Sequence, residues 1–186
     1  MVEKVEDPSE DIQSDFVLHA LFFLAELKST ESLPLVLDIF RMNEIWLEYW
    51  IGDFLPEVVW GTIYKLGGNH LNLLLDFMKD RNVDGYSRSF VSDAVEQIAW
   101  HDPERKAEVV NWFKAVLQDQ KSWTPGDKGF TPEGNGFFVD NLLNLNAEEL
   151  LPDIKVLFEM GYVNPGSDGN YEKVKSLIKE PYLFDP

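Results

Sequence analysis

The stretch Leu71-Asn-Leu-Leu-Leu-Asp-Phe-Met78 constrains the fold of this chain most, because it recurs. Its counterparts are Leu33-Pro-Leu-Val-Leu-Asp-Ile-Phe40, Val109-Val-Asn-Trp-Phe113 and Leu151-Pro-Asp-Ile-Lys-Val-Leu-Phe158. Each is apolar at helical spacing and follows another apolar helical segment across a short polar break, so each reads as the second member of a helix pair. The equivalent large side chains Phe40, Met78, Phe113 and Phe158 are separated by 38, 35 and 45 residues, close to the period of two-helix HEAT or armadillo units. Such units bury their apolar faces by stacking. The spacing therefore predicts an all-α fold, a right-handed α-α superhelix of about four helix pairs.

Composition narrows the partners. Sixteen basic against 33 acidic residues leave a net charge of −17, which repels phosphate backbones and anionic lipid heads and so disfavours nucleic acid and membrane surfaces. Cys is absent, removing disulfides, thiolate nucleophiles and Cys-type zinc sites together and suiting a reducing cytoplasm. The longest dense apolar run, Phe16 to Ala25, is far below the ~18 residues that span a bilayer. The first residues are acidic where a signal peptide would be basic. A cytoplasmic protein is expected.

In chain order, residues 1–14 carry Pro8 and five acids with little to bury, which predicts an acidic mobile arm ahead of a single domain over 15–186. Phe16, Leu18, Leu21, Phe22, Leu24, Ala25 and Leu27 cover most of a helical circumference, as in an inner helix enclosed by neighbours. Ser29-Thr30 offers an N-cap for the partner helix with Pro34 in its first turn. Asn43 to Asp53 is the densest aromatic segment, ended by Gly52-Asp53 and Pro56. Helices follow over about 56–66, 70–79 and 86–100, and Asp102-Pro103-Glu104 supplies an N-cap and N1 proline for the next. Lys121 to Gly136, rich in Gly and Pro, predicts a loop insertion pinned by Trp123 and Phe130. Asn146-Ala-Glu-Glu149 resembles a capping box, and a short last helix is expected over 171–179.

The run His19-Ala-Leu-Phe-Phe-Leu-Ala-Glu-Leu27, followed by Leu33-Pro-Leu-Val-Leu-Asp-Ile-Phe40 and Ile51-Gly-Asp-Phe-Leu-Pro-Glu57, resembles a bacterial HEAT-like family, the domain of unknown function numbered eleven-eighty-six. The resemblance covers about residues 16–119. Its sharpest piece is Gly52-Asp53 between two apolar helices. It implies the superhelical fold and no activity. Some members resemble the secretion ATPase in a C-terminal Cys/His zinc motif, which a chain without Cys does not share.

No chemistry is spelled out. His19, His70 and His101 are followed by Ala20, Leu71 and Asp102, unlike the His-Glu strings of HEAT-like di-iron hydroxylases, so structural roles are expected, with no metal and no cofactor. There is no nucleophile elbow and no phosphate loop. Asp53 and Glu57 stand at i, i+4, the geometry of a carboxylate pair, although such pairs arise by chance among so many acids. Trp46, Tyr49 and Trp50 share one face at i, i+3, i+4. They cannot all turn inward on a short helix that also buries Ile45, Leu47 and Ile51, and Trp and Tyr dominate binding hot spots. The reading that follows is a non-enzymatic protein-binding or scaffold module whose partner contributes a basic or amphipathic segment to Trp46, Tyr49, Trp50, Asp53 and Glu57. The alternative is an enzyme using Asp53 or Glu57 beside Trp50, on the pattern of HEAT-like glycosylases or bilin lyases.

Overall fold

In a computed structural model of the chain, the described residues are 15–52, 55–124, 127–129, 131–164 and 169–180. The expected arm over 1–14 lies outside them, and so does Phe130. Regular structure among the described residues is entirely helical. It comprises α1 (Asp15–Leu27), α2 (Leu33–Ile39), α3 (Glu44–Trp50), α4 (Leu55–Gly67), α5 (Leu71–Lys79), α6 (Gly85–His101), α7 (Lys106–Gln120), α8 (Pro132–Asn144), α9 (Leu151–Glu159) and α10 (Tyr171–Leu177).

Local chemistry sets the helix boundaries. Asn43 accepts from Trp46 N, Asp84 from Tyr86 N and Ser87 N, Thr131 from Gly134 N and Asn170 from Lys173 N, each satisfying backbone donors that a helix start leaves free. Three helices end alike. Lys28, Asn146 and Gly161 have φ of 51°, 48° and 73°, and the amides just beyond them, Ser29, Ala147 and Tyr162, donate to Leu24 O, Leu142 O and Leu157 O at 3.1, 3.1 and 2.8 Å. This is the Schellman closure, in which a left-handed residue turns the chain back onto the last helical carbonyls. After Lys28 and Asn146 a single 3-10 turn leads into a helix beginning Leu-Pro, at Leu33-Pro34 and Leu151-Pro152.

Long helices pack in a fixed order. One layer holds α1 against α4, α4 against α6 and α6 against α8; α5 packs on α7 and α7 on α9 in the other. The repeat positions point into the space between, with Phe40, Met78 and Phe113 buried and Phe158 half-buried against Tyr171 of α10. One apolar cluster runs from Val17 to Ile178.

Five expectations fail for local reasons, the first being the Ser29-Thr30 cap: neither side chain caps α2, because the 3-10 turn Thr30–Ser32 precedes it. The Gly- and Pro-rich loop ends at Thr131 and not at Gly136, because Thr131-Pro132 caps and starts α8. Gly134 is there for a close approach, since a Cβ on it would lie 2.9 Å from Gly85 Cα at the start of α6. Asn146 forms no capping box; it occupies the left-handed turn, and its Nδ2 donates to Ile178 O and Glu180 O at 3.0 and 2.7 Å. Asp102 makes no side-chain cap, because Pro103–Arg105 is a 3-10 turn ahead of α7. On α1, Phe16, Phe22 and Leu27 are exposed, so that helix lies at an edge of the layer.

Two substitutions separate backbone strain from side-chain bonding. Lys28→Gly is expected to raise the unfolding free energy in urea by about 1 kcal/mol, since an L side chain in the left-handed region costs about 1–2 kcal/mol and glycine returns part of that in the unfolded chain. Asn146→Gly relieves the same backbone but deletes two hydrogen bonds worth about 1 kcal/mol each, so it is expected to lower stability by about 1 kcal/mol.

Candidate functional site

The aromatic cluster assembles on α3 as its spacing requires. Leu47 and Ile51 enter the core, while Trp46 and Trp50 lie half-buried against it. Trp46 and Trp50 have ring centroids 6.0 Å apart, and Tyr49 meets Trp50 edge-on at 5.1 Å, a favourable aromatic arrangement. Ile45 is not buried as expected. It is 80% exposed and Tyr49 is 42% exposed, because a seven-residue helix packed along one side presents only part of its circumference inward. Asp53 lies outside the described residues; Glu57 falls on α4, with its side chain outside them too.

The local field is acidic. Glu48 is exposed beside Tyr49. The nearest arginine, Arg41, is taken up elsewhere: it donates to Asp38 at 2.9 Å and Asp80 at 3.3 Å and lies 4.9 Å over the Phe77 ring. These bonds engage its charge with Asp38 on α2 and Asp80 just after α5.

A second exposed surface was misread in the sequence. On α1, Phe16, Phe23 and Leu27 are 65%, 68% and 76% exposed, with Ala20 half-buried among them. Their 4-3-4 spacing puts all four along one side of the helix. That spacing was the available signal, lost because the whole helix reads as apolar.

Two polar clusters are internal. In the first, Arg88 of α6 is buried, donates from Nη2 to Asp80 O at 2.6 Å and lies 3.9 Å from the Trp123 ring. Burial pulls its pKa down to about 9 against the upward pull of Asp80, Asp119, Asp84 and Asp127, so it remains a cation at neutral pH. The adjoining cavity, lined in part by Ser89, Gln120 and Asn135, holds about 10 Å³, room for one water-sized group and far below the size of a metabolite site. In the second, Glu96 is buried between α6 and α8. Its Oε1 accepts from Trp100 Nε1 at 2.8 Å and its Oε2 from Asn141 Nδ2 at 2.5 Å, while the same amide donates to Asp93 at 2.9 Å. Burial raises the pKa of both carboxyls, opposed by these hydrogen bonds; for Glu96 the charge of Asp93 adds a further upward push.

A carboxyl of raised pKa is what acid-base catalysis needs. Here, however, both carboxyls are bound to Asn141, a helix-to-helix tie that positions α8 on α6. Neither lines the cavity beside Arg88. The histidines do not converge: His19 and His101 are exposed, His101 lying 5.3 Å from the Tyr64 ring, and His70 precedes α5. Among the described residues no group of three or more His, Asp or Glu is placed to hold a metal, and no helix is long and apolar enough to cross a membrane. Exposed aromatic surface is thus the feature that buried chemistry does not explain.

A model of the family described as "Protein of unknown function (DUF1186)" matches residues 1–181 of the chain. No curated protein and no solved structure matches it.

The buried carboxyls give a signed pH test. A carboxyl whose pKa is raised on folding contributes stability that is complete below its unfolded value, about 3.9 for Asp, and is lost as pH rises through the folded value. Asp93→Asn keeps an oxygen for Asn141 and removes that loss. Its melting midpoint minus that of the parent chain is expected to grow from pH 4 to pH 8; a constant difference would show that the Asp93 carboxyl is not perturbed.

Proposed function

We propose that this chain, which belongs to the DUF1186 family of proteins of unknown function, is a non-enzymatic protein-binding module of HEAT-like, right-handed superhelical architecture. The layering supports the architecture. First helices pack on first helices (α1, α4, α6, α8) and second on second (α5, α7, α9), the nearest-neighbour arrangement of stacked helix pairs. The binding reading is carried by one observation: α3 holds Trp46, Tyr49 and Trp50 in contact at the surface, with Ile45 and Tyr49 exposed.

The chemistry selects the partner. An exposed aromatic and aliphatic group in an acidic surround takes the apolar face of an amphipathic segment, whose lysines or arginines then meet the carboxylates. Attraction from a chain of net charge −17 acts mainly on the association rate and is screened within about 8 Å at physiological salt. Trp46 and Trp50 serve as rigid anchors because each already rests on the core.

The test uses a basic amphipathic helical peptide and the protein's own tryptophan fluorescence. Binding is expected, weakening as salt rises from about 50 to 500 mM. Tyr49→Ala, at an exposed position, is expected to weaken it by over ~1 kcal/mol without moving the melting midpoint. Trp50→Ala should weaken binding too and also lower the midpoint, since half its ring packs on the core. Binding indifferent to both substitutions would end the reading.

A further inference from the structure

We infer that the outer stripe of α1, Phe16-Ala20-Phe23-Leu27, is the interface of a two-fold dimer in which α1 packs antiparallel to α1 of a second copy. The stripe lies apart from the α3 cluster, so the inference does not rest on the binding reading.

The first argument is the geometry of the layer. In the layer α8, α6, α4, α1, each helix but the ends has a neighbour on both sides. Val17, Leu18, Leu21 and Ala25 turn α1 toward the core. At 100° per residue the stripe lies on a different side of the helix from this set, so its apolar groups are left without a helix to meet. A terminal unit that stays monomeric has a polar outer face; this one shows two phenylalanines and a leucine more than half exposed.

The second argument is self-complementarity. Spacing of 4-3-4 is that of a helix seam receiving another helix by knobs into holes. Turned antiparallel about a two-fold axis midway along the stripe, Phe16 meets Leu27 of the second copy and the small Ala20 meets the bulky Phe23. Large faces small at the centre, twice, as an isologous contact requires.

The third is charge. In a chain of −17, the groups beside this stripe nearly cancel: Glu26 is paired to Lys65 of α4, Lys28 follows the helix, and His19 is exposed. The same two-fold brings His19 alongside Glu26 of the second copy. A basic partner finds little to attract it here, whereas a second copy meets little local repulsion.

The area sets the strength. With about 150–250 Å² for a fully buried phenylalanine, the stripe offers on the order of 400 Å² per copy, or about 800 Å² in a dimer, the size of a functional surface patch and below the roughly 1,200 Å² of stable assemblies, so the dimer is a weak, transient one.

Sedimentation of the full chain from about 1 to 200 µM is expected to show a reversible monomer-dimer equilibrium that tightens as salt screens the net repulsion. That salt dependence is opposite in sign to the peptide binding above, so either reading can fail alone. Phe23→Glu is expected to raise the dissociation constant more than about tenfold with an unchanged helical spectrum and melting midpoint. A chain monomeric throughout, or a dimer untouched by Phe23→Glu, overturns the proposal. If a monomer's stripe binds apolar dye only after residues 1–14 are removed, the face belongs to the chain's own arm and the proposal is equally overturned.

Discussion

The structure depends on a buried cation. Arg88 sits near the start of α6, the one helix that packs against α4, α5, α7 and α8 together, and a guanidinium taken out of water costs several kcal/mol unless it is met by partners. The partners are the carbonyl of Asp80, the face of Trp123 and the field of Asp80, Asp84, Asp119 and Asp127. Each lies on a connection: the turn after α5, the cap of α6, the end of α7 or the loop after it. The charge therefore ties α6 to these connections through Nη2, the Trp123 ring and the carboxylate field, while Nε and Nη1 are buried without a hydrogen bond among the described residues. Trp123 is held in turn by Asp119 at its indole nitrogen and by the Tyr162 hydroxyl at its carbonyl. Gly129 has no side chain because a Cβ would enter the Trp123 ring and the guanidinium.

The same helix meets α8 through polarity at both levels. At the top, Gly85 and Gly134 let the two helix starts touch. Lower down, Asn141 gives one hydrogen to Asp93 and one to Glu96. Apolar contacts between helices tolerate sliding by a residue; a single amide shared by two carboxyls does not, because a shift leaves buried acceptors without donors. From the α7 side, Gln120 donates to Asn135, which donates to Tyr162 O. Register in this half of the molecule is set by hydrogen bonds and the affinity of the layers by the apolar cluster.

What the sequence made legible was period. Helices recur at the expected places because apolar spacing, N-caps and prolines act within a few residues. What it hid depended on distant partners. Gly134 reads as a loop residue until Gly85 is placed beside it, and Asn146-x-x-Glu149 reads as a helix start until the carbonyls of Ile178 and Glu180 arrive at the Asn146 amide. Arg88, Asp93 and Glu96 carry no local sign of burial, since their partners Trp123 and Asn141 come from the loop after α7 and from α8. Phe16 and Leu27 erred the other way, because apolarity alone does not say that a neighbour exists. At α3, contact among Trp46, Tyr49 and Trp50 followed from i, i+3, i+4 spacing, whereas the outward turn of Ile45 required knowing which side the core lies on.

The two ends of the helix array are finished differently among the described residues. Beyond α9 the short α10 lays Val174 and Ile178 into the core, stacks Tyr171 on Phe158 and receives the Asn146 amide on its last carbonyls. Its outward residues Glu172, Lys173 and Lys175 are polar and exposed, and Leu177 is its one large apolar side chain at the surface, 36% exposed. Beyond α1 the comparable short helix is α3, which buries Leu47 and Ile51, rests Trp46 and Trp50 half-buried on the core, and leaves Ile45, Tyr49 and the outer stripe of α1 exposed. Uncovered apolar groups carry a cost of about 25 cal/mol per Å² that any burying contact recovers. Among the described residues, one end of the array is thus covered more fully than the other, where Phe16, Phe23, Leu27 and Ile45 stand exposed and a burying contact has most to recover.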